Sequence, residues 1–311
     1  MRVWLRLLLL GLWLCANAGA LVRAAPAVVI VSSDVSAAYG EAAEALVSEL
    51  ERGRLARSEV QRMTTAEFTA APPPVPKLFV ALGAQAALVL ARAQPGAPVL
   101  CTLLPRSAFE RVLQTSGRKA SPQFSALLLD QPLSRQLALV RLALPKVKQL
   151  GVLWGPESEA LGPALSALAA SKGFKLVEAR IGQNEPVFTS LRQVLGSADV
   201  LLALPDPEVF NANSLQNILL ASFRAGVPMV AFSPAYVRAG ALFALYVTPA
   251  QLGQQAGELA RGVLQGKALP AQAVEAQGFS ISVNAHVARS LGLDLDASQL
   301  SLQLSRSEDA P

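Results

Sequence analysis

Residues 198–266 alternate short apolar runs with polar turns and helix-patterned stretches. Residues 200–204 are apolar and end in Pro205-Asp206-Pro207; a helical pattern follows until Gly226 stops it. Residues 228–232 form a second apolar run, closed by Ser233-Pro234. Parallel strands need a crossover between them, so strand, polar loop, helix, strand, polar loop is the order of a parallel α/β sheet. Such sheets bind ligands just beyond the carboxyl ends of their strands. Asp206 and Ser233 stand at those ends.

The same order recurs along most of the chain. Residues 28–31 read as a strand, followed by Ser32-Ser33-Asp34 and a helix to about Arg52. Residues 70–76, AAPPPVP, are a loop, because consecutive prolines suit neither helix nor central strand. Residues 78–82 form a strand that Gly83 turns into an Ala-rich helix, and residues 99–104 form another before Pro105. After the polar linker 114–122, residues 124–129 read as a strand, and Asp130-Gln131-Pro132 leads into a helix ending near Pro145. The alternation restarts at residues 150–154 and continues to a helix from Asn284 to Leu291. The expected fold is α/β: two doubly wound parallel-sheet lobes in succession, with a disordered polar tail over 305–311.

The amino terminus bears on the compartment. Arg2 and Arg6 precede an apolar run over 7–14, and small residues fill 16–20, the order of a cleavable signal peptide spanning residues 1–24. Arg23 interrupts the stretch before the ~20 apolar residues that a spanning helix needs. Cys15 offers a lipid anchor as the alternative, although Leu14 stands where such a motif has a small residue. Cleavage would remove three of the 27 basic residues and none of the 22 acidic ones, so the formal +5 overstates the charge of the folded part. No basic stripe interleaved with aromatics remains, and no nucleic-acid partner is expected. Cys101 would be the one remaining thiol; inside an apolar run it reads as a buried structural residue.

Motifs for catalysis are missing. His286 is the single histidine, at the start of a late helix. There is no Gly-x-Ser-x-Gly elbow, no His-Glu-x-x-His, no metal-spaced cysteine pair and no glycine-rich phosphate loop. The expectation is a non-enzyme without metal or cofactor.

Several residues are placed to bind. Asp206 can receive a ligand ammonium through a charge-assisted hydrogen bond, or cap the following helix. Ser32, Ser33 and Asp34 precede a helix whose first amides can cradle a carboxylate; the same residues are good caps. Gly83, Ala84 and Gln85 let backbone approach a ligand, or simply make a tight strand-to-helix turn. Trp154 can stack on a ligand ring or pack in the core. Ser233 and Tyr246, both at strand ends, complete the set.

Residues 124–154, FSALLLDQPLSRQLALVRLALPKVKQLGVLW, carry a resemblance, with Pro145-Lys146 and Gly151-Val152-Leu153-Trp154 at its centre. Val227-Pro228, Gly240-Ala241-Leu242, Leu252-Gly253-Gln254-Gln255-Ala256, Gly266-Lys267, Asn284 and Leu291-Gly292 extend it, and VALGAQA over 80–86 adds the first half. Together, over about residues 27–295, these passages resemble the periplasmic substrate-binding proteins of ABC importers, in the group containing tryptophan- and tyrosine-type binders. The resemblance implies a type I periplasmic binding protein with three crossings, near residues 125–130, 241–246 and 273–279. It puts residues 25–124 and 247–273 in the first lobe, and 125–246 and 274–304 in the second. It implies a monomeric periplasmic receptor that captures a small molecule, such as an amino acid, in the interlobe cleft for an ABC permease of the inner membrane. An exported sensor subunit, or an enzyme on the same fold, are the alternatives. Gly155 stands where the family often has a polar residue, and Ser33-Asp34-Val35-Ser36 replaces its acidic-His-Pro type of loop, so the ligand class does not carry over.

Overall fold

β1 (Val28–Ser32) holds four consecutive β-branched residues, all fully buried. Stiff branched side chains suit a pleated sheet, and an unbroken apolar run means that both faces are covered. Val29 and Val31 pack into one core layer, and Val28 and Ile30 into the opposite one. This sheet belongs to the first of two lobes in the computed structural model, which describes residues 25–182 and 186–308. The expected signal peptide, with Cys15, and residues 309–311 lie outside the described residues.

The first lobe continues with α1 (Ala37–Arg52), β2 (Val60–Thr64), α2 (Thr65–Ala70), β3 (Leu78–Leu82), α3 (Ala84–Ala93), β4 (Val99–Thr102), α4 (Arg106–Ser116) and β5 (Phe124–Leu128). The chain then crosses to the second lobe: α5 (Leu133–Ala143), β6 (Gln149–Trp154), α6 (Gly162–Ser171), β7 (Lys175–Arg180), α7 (Val187–Leu195), β8 (Val200–Leu202), α8 (Leu215–Arg224), β9 (Met229–Ala231), α9 (Pro234–Ala239) and β10 (Phe243–Tyr246). It returns through α10 (Pro249–Leu264) and β11 (Val274–Glu275). A last crossing leads to β12 (Ser280–Val283), α11 (Ala285–Ser290) and α12 (Ala297–Glu308).

The first sheet runs β11-β5-β4-β3-β1-β2 and the second β12-β10-β9-β8-β6-β7. Apart from the outer pair, where β12 lies antiparallel to β10, every pairing is parallel. The two lobes therefore repeat one strand order. Each also receives a helix across the hinge: Leu252, Ala256 and Ala260 of α10 enter the first core, and Leu137, Val140 and Ala143 of α5 enter the second.

Four sequence expectations change. β5 is a strand of the first sheet, with Val99 opposite Phe124 and Cys101 opposite Ala126. The first crossing therefore starts at Leu129, and residues 125–128 leave the second lobe. Val274 and Glu275 likewise pair with β5, so they too belong to the first lobe. The second crossing follows Tyr246, because Phe243–Tyr246 is still a strand of the second sheet. Finally, residues 305–308 are helical, not disordered. Leu300 and Leu304 bury one face of α12 in the second core, and Glu308 pairs with Arg135 at 2.5 Å.

Candidate functional site

A cavity of ≈ 290 Å³ opens beside the crossings. The first crossing supplies Leu129, Asp130 and Gln131, and α5 adds Gln136. The second crossing supplies Tyr246 and Val247, with Leu245 before them. Pro105 of the first lobe, and Pro205, Phe232, Ser233 and Pro234 of the second, complete the wall. Its size lies at the lower end of small-molecule sites, ~300–1,000 Å³. The wall is mainly apolar, and its prolines hold their backbone φ fixed.

Aromatic contacts orient Phe232, whose ring meets Phe210 edge-on at 6.3 Å and tilts against Tyr236 at 4.9 Å. The Tyr236 hydroxyl donates to the Phe210 carbonyl at 3.2 Å, and burial raises its pKa. The Ser233 hydroxyl caps α9 by accepting from the Ala235 amide at 3.2 Å.

Asp130 is the one carboxylate in the wall. One of its oxygens accepts from the Arg106 amide, at the first turn of α4, at 2.6 Å. Burial raises its pKa, against the lowering effect of that amide and of the Arg106 charge. The Arg106 guanidinium itself turns to Glu275 on β11, at 3.1 Å. Gln131 stitches two crossings together by donating to the Gly278 carbonyl at 3.1 Å and accepting from Arg135 at 2.8 Å. Gln251 does the same from α10, donating to the Phe279 carbonyl at 3.0 Å. Among the described residues, one ion pair spans the lobes: Arg111 of α4 meets Glu157, in the loop after β6, at 2.7 Å.

Asp206 does not line this cavity. Its side chain is buried, and one oxygen accepts from the amides of Glu157 and Ser158 and from the Ser158 hydroxyl, at 3.0, 2.8 and 2.9 Å. Its other oxygen accepts from the Glu208 amide at 3.0 Å. A carboxylate offers about four acceptor positions, so four donors saturate it. Gly155 makes this possible: a Cβ there would lie 2.5 Å from the carboxylate. The expected ammonium contact gives way to a structural one, in which Asp206 fastens the β6 loop. Trp154 also departs from its expected role. It is buried in the second core, with its indole N–H on Glu178 at 2.9 Å, and offers no face for stacking.

The first-lobe residues divide between two other depressions. Ser32 and Asp34 border one of ≈ 300 Å³ with Tyr39 and Arg62; Ala84 and Gln85 border one of ≈ 380 Å³ with Arg111. The Ser33 hydroxyl donates to the Leu82 carbonyl at 2.8 Å and accepts from the Ala86 amide at 2.9 Å. Gly83, at φ +85°, has no room for a Cβ, which would lie 2.7 Å from the Ser33 hydroxyl. Asp34 accepts from the amides of Val35 and Ser36, a local turn just before α1. Of the ten residues expected to bind, Ser233 and Tyr246 line the hinge cavity. Sequence reasoning missed Asp130, Gln131 and Gln136. The signal was present, since Asp130 follows a strand end just as Asp206 does.

Two α/β lobes of equal strand order, three crossings and a cavity between the lobes define the type I periplasmic-binding-protein architecture. The chain belongs to the family described as ABC transporter substrate binding protein, which matches residues 74–303. A tyrosine-binding protein of Clostridioides difficile is 25% identical over 198 residues, 62% of this chain; the match spans 56% of that protein's length. Solved structures of the same fold include a ligand-free, open substrate-binding protein with adhesive properties from Clostridium difficile. It is 20% identical, with a TM-score of 0.68, covering 88% of this chain and 96% of that one. A conserved domain protein from Vibrio cholerae is 22% identical, with a TM-score of 0.61 and coverage of 89% and 98%. A domain from Streptococcus pneumoniae in complex with L-Trp is 16% identical, with a TM-score of 0.58 and coverage of 88% and 98%. Among the described residues no helix is long and apolar enough to cross a membrane, and no group of His, Cys, Asp and Glu could hold a metal ion.

Proposed function

We propose that this chain is an exported, monomeric solute receptor that holds a small molecule with an apolar or aromatic body in the hinge cavity and presents it to an ABC permease of the inner membrane. Residues 1–24 would direct export to the periplasm. The observation that carries the reading is the cavity wall, built from two crossings and from loops of both lobes. A molecule held there touches the segments that must rotate when the lobes move, so its binding free energy can bias the lobe angle. Relatives named for tyrosine binding and L-Trp complexation favour an aromatic body.

Native mass spectrometry of protein isolated under mild conditions tests this reading. One bound small molecule is expected, and Gln136→Trp, which fills the cavity from α5, should abolish its retention. A bound molecule retained by Gln136→Trp would move the site elsewhere.

A further inference from the structure

We infer that the hinge cavity selects a ligand whose apolar or aromatic body carries a protonated amine and no carboxylate, with Asp130 receiving the amine. The inference rests on the cavity being the ligand site. Among the residues lining it, Asp130 is the sole carboxylate, and there is no lysine, arginine or histidine. A ligand carboxylate entering this wall would lose hydration beside a like charge, with no cation in the wall itself to offset the loss; the neighbouring Arg106 is paired with Glu275.

The surroundings sharpen that asymmetry. A small crevice shares Asp130 and Pro205 with the cavity and adds Glu110, Glu157 and Arg106. The arginines nearby are committed, Arg106 to Glu275 and Arg111 to one oxygen of Glu157. The other Glu157 oxygen is buried without a hydrogen-bond partner. In the first lobe, the Ser33 hydroxyl suited to hold a carboxylate is occupied by Leu82 and Ala86, and the Gly83 amide donates to the Thr102 carbonyl at 2.8 Å. Asp130 can receive an ammonium beside the Arg106 amide, because its two oxygens together offer about four acceptor positions.

Tyramine and tyrosine share an aromatic body and differ by the carboxylate, so calorimetry with this pair tests the assignment on the full mature chain. Tyramine should bind at least tenfold more tightly than tyrosine. Asp130→Asn keeps an oxygen for the Arg106 amide and should weaken tyramine by about 30-fold or more, the scale for breaking a desolvated charged hydrogen bond. If that variant fails to fold, Gln136→Lys, which adds a cation to the wall, should abolish tyramine binding. Tyrosine binding as tight as tyramine, no heat from tyramine, or tyramine affinity unchanged in the folded variants would each overturn the assignment. Gln136→Trp separates the two failures. Tyrosine binding that it abolishes leaves the cavity as the site and overturns the head group, whereas binding that it leaves intact overturns the site.

Discussion

The two lobes repeat one strand order but brace the carboxyl ends of their sheets with different chemistry. In the first lobe a neutral hydroxyl, Ser33 after β1, fastens the turn after β3, and Gly83 in that turn leaves room for it. In the second lobe the places are exchanged. The glycine, Gly155, follows β6, the counterpart of β1, and the fastener, Asp206, follows β8, the counterpart of β3. The first fastener makes two side-chain hydrogen bonds; the second is a carboxylate with four donors. A polar residue at the end of a parallel strand can thus be committed to a neighbouring loop: the four donors saturate Asp206, and Ser33 has already given its one O–H to Leu82.

The comparison is most exposed at Asp206. Asp206→Ala would strand four donors around a buried site and should cost about 3–5 kcal/mol in denaturant unfolding. Asp206→Asn should lose less, about 1–3 kcal/mol, because its amide nitrogen must face donors. Unchanged stability in Asp206→Asn with lost ligand affinity would restore the ligand-contact role. Gly155→Ala attacks the same fastener from the other side, and overpacking against the carboxylate should cost about 1–3 kcal/mol.

Ser33→Ala is the matching change in the first lobe. With two neutral hydrogen bonds lost, about 1–2 kcal/mol is expected. A loss as large as that of Asp206→Ala would erase the distinction between the lobes.

Asp130 extends the comparison to the hinge, as a strand-end carboxylate with far less support than Asp206. Its folded pKa is raised above the ordinary 3.8, chiefly by burial. Folding therefore favours its protonated form, and stability falls as pH rises from about that ordinary value through the folded one. Asp130→Asn should melt higher than wild type at neutral pH, with the two converging in acid; melting curves across pH check this. A variant that melts lower at neutral pH would assign the carboxylate a net stabilising role.

The smallest effect belongs to the pair that joins the lobes. Arg111 is 56% exposed on its side chain, so Arg111→Gln should change unfolding stability by no more than ~1 kcal/mol. Its readout is shape. Small-angle scattering of the ligand-free protein should show a larger radius of gyration once Glu157 loses its cross-cleft partner.

The sequence by itself determined the alternation of strands and helices and the two-lobe plan, because apolar period, prolines and turn residues act over a few neighbours; the three crossings came only with the family resemblance. It was silent where local signals are weak. β2, Val-Gln-Arg-Met-Thr, is a half-exposed edge strand without an apolar run, although Thr64 and Glu67 form a capping box just after it. The polar end of α12 looked like a tail because its anchors, Leu300 and Leu304, act only once the second core exists to receive them. Tertiary structure alone decided which strand-end carboxylate faces the hinge cavity. Asp206 and Asp130 read alike along the chain, each a carboxylate between a strand and a helix. Asp206 meets its main donors 48 and 49 residues away, on a neighbouring loop made accessible by one missing Cβ; Asp130 meets one amide, 24 residues away, beside an open cavity. Long-range pairing saturates one carboxylate and leaves the other facing the hinge.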